Sequence, residues 1–297
     1  MSNHSPGLRR PIVQTDKIRE VADGLWIIPD TDYTPFVPNV GIVVGTRAAL
    51  IVDTGFGPDN ARAVLRQARQ LAGKRPIYLT HTHCHPEHGF GANAIADEVT
   101  TVSNAVQWLE LQEKGAAILR MFLNMLPPLA SMLDGVAFLP PNIQYNGSLL
   151  LDLGGVLVEL REVGGGHSRG DQRVLVHASK SVLFVGDLIE ERHFGGIADN
   201  ESSVVEWIDR LSEFEALRPD VVVPGHGLIG DSGLIVTYRE HFELAVRRVR
   251  VLREVGQLRE DQIVEQITAE LVQKYPDWLG PEWARRVVEN LTWPSRM

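Results

Sequence analysis

Residues 82–92 hold a dense group of potential metal ligands and read Thr82-His83-Cys84-His85-Pro86-Glu87-His88-Gly89-Phe90-Gly91-Ala92. They follow an apolar run at 76–80 that predicts a short buried strand. In an extended segment, side chains two residues apart point the same way, so His83 and His85 can converge on one point. Glu87 and His88 follow around the next turn and can face a second point. Zinc and related divalent metals select imidazoles and carboxylates, which favours a metal site over a histidine-rich surface loop.

The composition is that of an ordinary globular protein and excludes several functional classes. The 297 residues carry a formal charge of −9, so no basic excess is available to bind nucleic acid. The first ten residues are polar and lack the apolar core of a secretion signal. No run is apolar enough for a membrane span, and Cys84 is the only cysteine. We therefore expect a cytoplasmic protein without membrane or nucleic-acid partners.

Strand-like and helix-like segments occur in two rounds along the chain. β-Branched runs between residues 18 and 53 precede helical spacing at 60–73 and a strand at 77–80. Asn93 to Glu98 is interpreted as the start of another helix. Strand patterns return at 149–185, and helical patterns follow to the C-terminus, interrupted by a strand at 221–223. The order predicts an N-terminal arm at 1–17 and one domain at 18–297, with a sheet-on-sheet core and helices outside.

An apolar helical insertion is predicted at about 103–141, between the two rounds. Its Met and Phe residues suit an adaptable binding surface, so we favour a lid or pocket wall over the metal loop. A plain core segment and a homodimer contact are the alternatives. The same residues suggest a small-molecule substrate with an apolar portion.

Three later apolar strands each end in glycine beside a potential ligand. These are His167 after the run Gly164-Gly165-Gly166, Asp187 after Gly186, and His226 after Gly225. Glycine lets the backbone approach closely and aim the side chain that follows. Each pair alone is typical of a turn, but together, behind the histidine loop, they indicate further parts of one site.

In these motifs the chain resembles the metallo-β-lactamase superfamily, whose pattern is H-x-H-x-D-H followed by a distant His, Asp and His. The resemblance runs from Val21 to about Gly230 and implies an α/β fold (α+β), the αββα metallo-β-lactamase sandwich. It implies a first metal at His83, His85 and His167, and a second at Glu87, His88 and His226. Asp187 would bridge the two metals. Asp53 would support the histidine loop from the preceding Asp-Thr-Gly turn.

Glu87 departs from the family pattern, which has Asp at this position. The additional methylene changes where the carboxylate lies, so we interpret Glu87 as a variant ligand of the second metal. A register beginning at His81 would place Pro86 at a ligand position, and proline cannot ligate.

Four other residues near the site are assigned from their context. His81 becomes a supporting residue, and Cys84 a small buried thiol. Arg169 is expected either to hold a substrate carboxylate or to brace the Asp171 turn. His193 is expected to face the substrate or to lie in a solvated loop.

The resulting hypothesis is a hydrolase containing two zinc ions, with Fe or Mn as alternative metals. A metal-bound hydroxide would attack the carbonyl of an ester, thioester, lactone or amide, including β-lactam-like substrates. Asp187 would orient the nucleophile, and Glu87 would hold the second metal. An iron-dependent oxygenase or oxidoreductase on the same scaffold is the alternative. A binding protein with a vestigial site is disfavoured because every ligand position keeps a competent side chain.

Overall fold

Two β-sheets packed face to face form the centre of the computed structural model, which describes residues 9–197 and 202–293. The first sheet has seven strands in sequential order: β1 (Arg19–Ala22), β2 (Leu25–Ile28), β3 (Val40–Val44), β4 (Ala49–Val52), β5 (Ile77–Thr80), β6 (Thr100–Asn104) and β7 (Ile143–Tyr145). The second sheet has five strands in the order β12-β11-β10-β9-β8: β8 (Ser148–Asp152), β9 (Leu157–Glu162), β10 (Gln172–His177), β11 (Ser181–Glu190) and β12 (Val221–His226).

Alternate residues of the central strands belong to two different cores. In β4, Leu50 and Val52 pack between the two sheets, whereas Ala49 and Ile51 pack under helix α1 (Pro58–Ala72). Both faces of this strand are buried, which is why its sequence is apolar throughout rather than alternating.

Helices cover the outer faces of both sheets. Helix α1 lies on the first sheet through the face that carries Ala61, Val64 and Ala68. The second sheet is covered by α4 (Val204–Ala216), α5 (Gly233–Val255), α6 (Glu260–Lys274) and α7 (Pro281–Thr292), which share one large core with β11. The predicted αββα sandwich is confirmed. Among the described residues, none of the helices combines the length and hydrophobicity required to cross a bilayer.

The predicted insertion forms helix α3 (Ala105–Met125) and a 3-10 helix at Pro127–Leu133. Asn104 caps α3, because its side chain accepts a hydrogen bond from the Gln107 N–H at 2.7 Å. One face packs into a cluster of aromatic and aliphatic residues around Phe122, while Leu109, Met121 and Met125 are about half exposed. The segment therefore has one buried face and one exposed apolar face.

The structure differs from the sequence-based interpretation in three places. The helix expected at 93–98 is a short 3-10 helix at Ala92–Ile95. Strands β6 and β7 were missed, since TTVSN and IQY are short and partly polar. Of the predicted arm, residues 1–8 lie outside the described residues. Within 9–17, Val13 is buried and its N–H donates to Asn60 Oδ1 at 2.9 Å.

Candidate metal centre

The histidine loop leaves the carboxyl end of β5 and turns into a one-turn helix, α2 (Pro86–Gly89). Pro86 occupies the first helical turn, where its fixed φ is favourable and its missing N–H is not required. His85 precedes this turn in an extended conformation, and Glu87 and His88 lie on it. Extended backbone followed by a tight turn thus presents four side chains from six consecutive residues.

The second sheet supplies three further side chains from the ends of its strands. His167 lies in the loop between β9 and β10, Asp187 lies in the second half of β11, and His226 ends β12. The pairing of β11 with β12 shifts around Gly186, whose φ of +54° is in the left-handed region. Gly225 lies so close to this bend that a Cβ built there would be 1.9 Å from Asp187 Oδ1.

Seven side chains from the two sheets form two groups that share Asp187. His83, His85, His167 and Asp187 form the first group, and Glu87, His88, Asp187 and His226 form the second. Within each group, all the potential ligand atoms lie within 4.8 Å of one another. The structure brings together all the residues predicted to ligate the two metals. Their role as ligands remains a prediction.

The two oxygens of Asp187 face different groups. Oδ2 lies 3.6 Å from His83 Nε2 and 3.7 Å from His167 Nε2. Oδ1 lies 3.2 Å from His88 Nε2 and 3.5 Å from His226 Nε2. Each oxygen can therefore serve one metal, which is the geometry of a bridging carboxylate.

Asp53 supports the histidine loop through contacts with two of its residues. Its carboxylate accepts hydrogen bonds from the Thr82 N–H at 2.7 Å and the Thr82 hydroxyl at 2.9 Å, and it lies 2.8 Å from His88 Nδ1. Asp53 itself has a φ of +65°, an uncommon conformation for a residue other than glycine. The contact orients the His88 ring so that Nε2 faces Asp187.

Main-chain carbonyls orient two more rings in the same way. His167 Nδ1 lies 2.8 Å from the Gly196 carbonyl, and His226 Nδ1 lies 2.8 Å from the Val37 carbonyl. A carbonyl can only accept, so Nδ1 carries the proton in both rings. The neutral His167 ring therefore has its lone pair on Nε2, which faces Asp187, whereas His226 would gain this lone pair when a bound metal displaced the proton from Nε2.

Burial and the charge of Asp187 shift the pKa values of the histidines in opposite directions. Burial lowers the pKa of His83 well below its usual value and that of His167 to about 4, which favours the neutral ligating form. For His226, burial is outweighed by the Asp187 carboxylate, which raises the pKa to about 9. Burial alone would raise the pKa of Asp187, but His88, His226 and His83 hold it well below its usual range. Asp187 is therefore ionised at neutral pH.

Several buried polar atoms at the centre make no hydrogen bond. They are His83 Nε2, Glu87 Oε2, His88 Nε2 and Asp187 Oδ1. A buried polar atom without a partner costs about 1–3 kcal/mol, and all four belong to the two groups. Nitrogen and carboxylate donors directed at common points fit a divalent cation such as zinc.

Two other predicted residues lie beside the loop without belonging to either group. The His81 side chain is not in either group, but its carbonyl holds the loop start by accepting from Gln107 Nε2 at 3.0 Å and Gln172 Nε2 at 2.5 Å. Cys84 is buried, and burial raises the pKa of its thiol well above the usual value. Cys84 is thus a buried thiol, and the supporting role of the His81 side chain remains a prediction.

Arg169 and His193 do not belong to either group. The Arg169 guanidinium contacts Glu113 of α3 at 2.5 Å. His193 is partly buried, and its Nδ1 donates to the Glu191 carbonyl at 3.0 Å. Its ring centre lies 6.1 Å from that of Tyr33. A substrate contact by either residue remains a prediction.

The contacts of three polar residues near the groups were missed in the sequence. Asp171 accepts hydrogen bonds from the N–H groups of His167 and Ser168, both at 2.9 Å, and so shapes the His167 loop. The sequence indicated a turn at Asp171, and the tendency of aspartate to accept nearby main-chain N–H groups could have identified this contact. Glu110, on apolar α3, accepts from the Gly170 N–H at 2.8 Å, and nothing in the sequence indicates this contact.

Glu190 is the third missed residue, three positions after Asp187 on β11. Its Oε1 accepts a hydrogen bond from the Gly196 N–H at 3.2 Å. Burial, followed by the negative charge of Asp187, raises the pKa of Glu190 to about 8. The Gly196 carbonyl also accepts from His167, so Glu190 helps to hold the segment that orients this ring.

Comparisons with known proteins agree with this geometry. The family model described as the metallo-beta-lactamase superfamily matches residues 33–226. A metallo-beta-lactamase type 2 from Bacillus sp. is 23% identical over 230 residues, which cover 75% of this chain and 80% of that protein. A linear primary-alkylsulfatase from Pseudomonas sp. is 23% identical over 217 residues, or 63% of this chain, and this chain spans only 40% of its length.

Solved structures show the same fold. A metallo-beta-lactamase from Pontibacter korlensis has a TM-score of 0.59 at 20% identity, covering 75% of this chain and 98% of that one. A stereoselective inverting sec-alkylsulfatase from Pseudomonas sp. has a TM-score of 0.70 at 18% identity, covering 94% of this chain and 51% of that one. The chain belongs to the metallo-beta-lactamase superfamily. The prediction of an enzyme of this metallo-hydrolase class is confirmed.

Proposed function

We propose that the protein is a dinuclear metal-dependent hydrolase, with zinc as the resident metal, that cleaves ester-type bonds in small molecules. The observation that carries this proposal is the pair of ligand groups joined by Asp187, whose two oxygens face opposite sides. His83, His85 and His167 would hold one metal, and Glu87, His88 and His226 the other. A bound divalent zinc ion would supply a nucleophile at neutral pH by lowering the pKa of water to about 7.

The chain's own residues set the geometry of the reaction. The hydrogen bonds from His167 to Gly196 and from His226 to Val37 keep both rings aimed at the centre. Asp187 is ionised and can accept a hydrogen bond from the attacking water. This hydrogen bond would orient the lone pair of the water oxygen toward the substrate carbonyl carbon. No serine or cysteine nucleophile is required.

One partly buried aromatic residue near the centre suits a substrate with an apolar portion. Val37, whose carbonyl orients His226, follows Phe36 in the chain. The Phe36 ring packs against Phe56 at 5.9 Å and against Phe122 of α3 at 5.5 Å between ring centres. Phe56 and Phe122 are buried, so this part of α3 is core, and only Phe36 would offer an apolar contact to the substrate.

Sulfate esters are a second candidate substrate class. The alkylsulfatase structure matches 94% of this chain, a larger share than the 75% matched by the Pontibacter metallo-beta-lactamase. The larger share favours a closer relationship to the alkylsulfatase, in which the C-terminal helices of this chain are part of the fold that the two proteins share. Hydrolysis of a sulfate ester would use the same ligand groups and release an alcohol.

The test is a substrate screen on protein whose metal content has been measured. Nitrophenyl esters, thioesters, lactones, β-lactams and alkyl sulfates are compared, with His85→Ala as the site variant and His177→Ala as the surface control. We expect the wild type to hydrolyse one of these substrate classes and to contain two zinc ions per chain. His85→Ala should lose turnover and lower the zinc content, whereas His177→Ala should keep both properties. Unchanged turnover in His85→Ala, or one iron with oxygen uptake, would overturn the proposal.

A further inference from the structure

Glu110 is buried on α3 and contacts both loops that carry the first group. The residue is only 1% exposed. Its Oε2 accepts a hydrogen bond at 2.8 Å from the N–H of Gly170, three residues after His167. The carboxylate also accepts a hydrogen bond from the thiol of Cys84, which lies between the first two histidines of the group. One carboxylate on α3 therefore joins the histidine loop to the loop that carries His167.

Two amides at the beginning of α3 hold the same loops. Asn104, Gln107 and Glu110 follow one another at intervals of three residues, which places them on one side of the helix. Asn104 Nδ2 donates to the Gly170 carbonyl at 3.0 Å, and Gln107 Nε2 donates to the carbonyl of His81 at 3.0 Å. A Cβ built on Gly170 would lie 2.4 Å from Gln107 Cα, so the loop packs directly against the helix. Side chains of this segment thus bind both the N–H and the carbonyl of Gly170.

The position of Gly170 is transmitted to the imidazole of His167 through a short path. Asp171, the next residue in the chain, accepts a hydrogen bond from the His167 N–H at 2.9 Å through Oδ2. At the other end of this path, His167 Nε2 lies 2.9 Å from Nδ1 of His85. A shift of Gly170 would therefore change the distances among the imidazoles of the first group.

The second group has a different support. Asn39 Nδ2 donates to the carbonyls of Pro224 at 2.8 Å and Gly227 at 3.0 Å, on either side of His226. The Asn39 N–H donates to the Gly225 carbonyl at 2.8 Å. These bonds come from the loop between β2 and β3, on the first sheet, and not from α3. The structure thus holds His167 and His226 by separate sets of contacts.

We propose that Glu110 and Asn104 are positioning residues for the first group, so that α3 sets the metal affinity of this group without setting that of the second. The proposal rests on the proposed metal-binding role of the two groups, but it does not depend on which bond is cleaved. Glu110 would act through Gly170 and Cys84 rather than by touching metal or substrate. The helical insertion would then support the metal centre.

The test titrates Co²⁺ into the full-length, metal-free protein, because cobalt can replace zinc and its visible absorption depends on its ligands. His85→Ala and His226→Ala each change one group alone, so their spectra identify the two components. Glu110→Met, which retains the size but not the carboxylate, should weaken cobalt binding at the first group by about 10–100-fold. Binding at the second group should be unchanged. Glu110→Gln keeps an oxygen that can accept from the Gly170 N–H, and it should restore most of the affinity.

Asn104→Ser is a second, independent variant. Serine can still cap α3 but cannot donate to the Gly170 carbonyl, so this variant should also weaken cobalt binding at the first group alone. Asn39→Ala should give the reciprocal result and weaken the second group alone. Gln112→Met, a comparable change at an exposed position of α3, should leave both groups unchanged.

The melting temperature of each metal-free variant separates a loss of folding from a loss of positioning. Full cobalt affinity at the first group in Glu110→Met and Asn104→Ser, or an equal loss at both groups, would overturn the proposal. Selective weakening of the first group in a protein that hydrolyses none of the substrate classes would support this inference and overturn only the proposed function.

Discussion

Asp53 Oδ2 lies 2.8 Å from His88 Nδ1, so a buried carboxylate fixes the ring at the end of the histidine loop. The same carboxylate accepts two hydrogen bonds from Thr82, which joins the beginning of the loop to its end. This contact explains how a loop with few regular hydrogen bonds can aim its ligands without a strand or a long helix to support it.

Asp53→Asn should reduce zinc affinity by about 10–100-fold, because the substitution removes the charge that orients and polarises His88. Asparagine tolerates the left-handed backbone at this position, so the fold should be retained. Competition with a chelator measures the affinity. Asp59→Asn, at a highly exposed position on α1, is the matched control. Equal affinity in both variants would contradict this role for Asp53.

Glu87→Asp should preserve turnover within about one order of magnitude, because a carboxylate remains on the second ligand group. The shorter side chain should weaken zinc occupancy more than it changes the rate of the occupied enzyme. Zinc per chain and kcat/KM are measured together, and Glu254→Asp at an exposed position near the end of α5 serves as the control. Complete loss of turnover with full zinc content would show that the additional methylene is itself required.

Gly225→Ala should lower turnover by about 100-fold or more, since a displacement of about 1 Å in a reacting group can have an effect of this size. A methyl group at this position would lie 1.9 Å from Asp187 Oδ1 and 2.8 Å from the Gly186 carbonyl carbon. The Asp187 carboxylate must then move. Gly233→Ala, whose added Cβ would meet only the flexible Asp231 side chain, is the control. Normal turnover in Gly225→Ala would exclude a precise bridging position for Asp187.

His241→Phe should make the protein less sensitive to acid unfolding. Burial lowers the pKa of His241 from its ordinary value of 6.5 to about 3 in the folded protein. Between pH 6.5 and about 3 the unfolded chain binds the proton more readily, so this residue reduces stability as the pH falls. Lowering the pH from 6.5 to 5 should cost about 1.6 kcal/mol through His241 alone.

Denaturant unfolding at the two pH values measures the difference. The measurements are made in chelator, so that release of metal does not contribute. Phenylalanine retains the aromatic packing against Phe242 and Trp278 but has no proton to bind. His177→Phe, at an exposed position, should leave the acid sensitivity of the wild type intact. The same acid sensitivity in all three proteins would exclude His241 as its source.

Four of the seven residues in the two groups could be predicted because their spacing is local: His83, His85, Glu87 and His88 lie within six positions. His167, Asp187 and His226 are distant in the sequence and were singled out by the glycine before each of them. Their division between two groups came from the resemblance to the metallo-β-lactamase superfamily rather than from spacing. The sandwich itself was predictable from the repeated order of strand and helix patterns.

The supporting contacts could not be predicted, because they are set by tertiary packing rather than by spacing. Gln107 reaches the His81 carbonyl from α3, and Gln172 reaches it from the other sheet, 91 residues away. An amide on an apolar helix has no distinguishing pattern in the sequence. Strand β7 is a three-residue partner of β6, and it is assigned only by its parallel pairing with that strand.

Asp187 and the histidine rings around it affect how strongly the two sheets are held together. The first sheet provides four of the seven side chains at the metal centre, and the second sheet provides the other three. A metal bound by side chains from both sheets would link the two sheets along one edge of the sandwich. Its binding free energy would then oppose their separation. Resistance to proteolysis and amide hydrogen exchange at this edge would accordingly follow metal supply, so the abundance of the protein would report on the metal available to it.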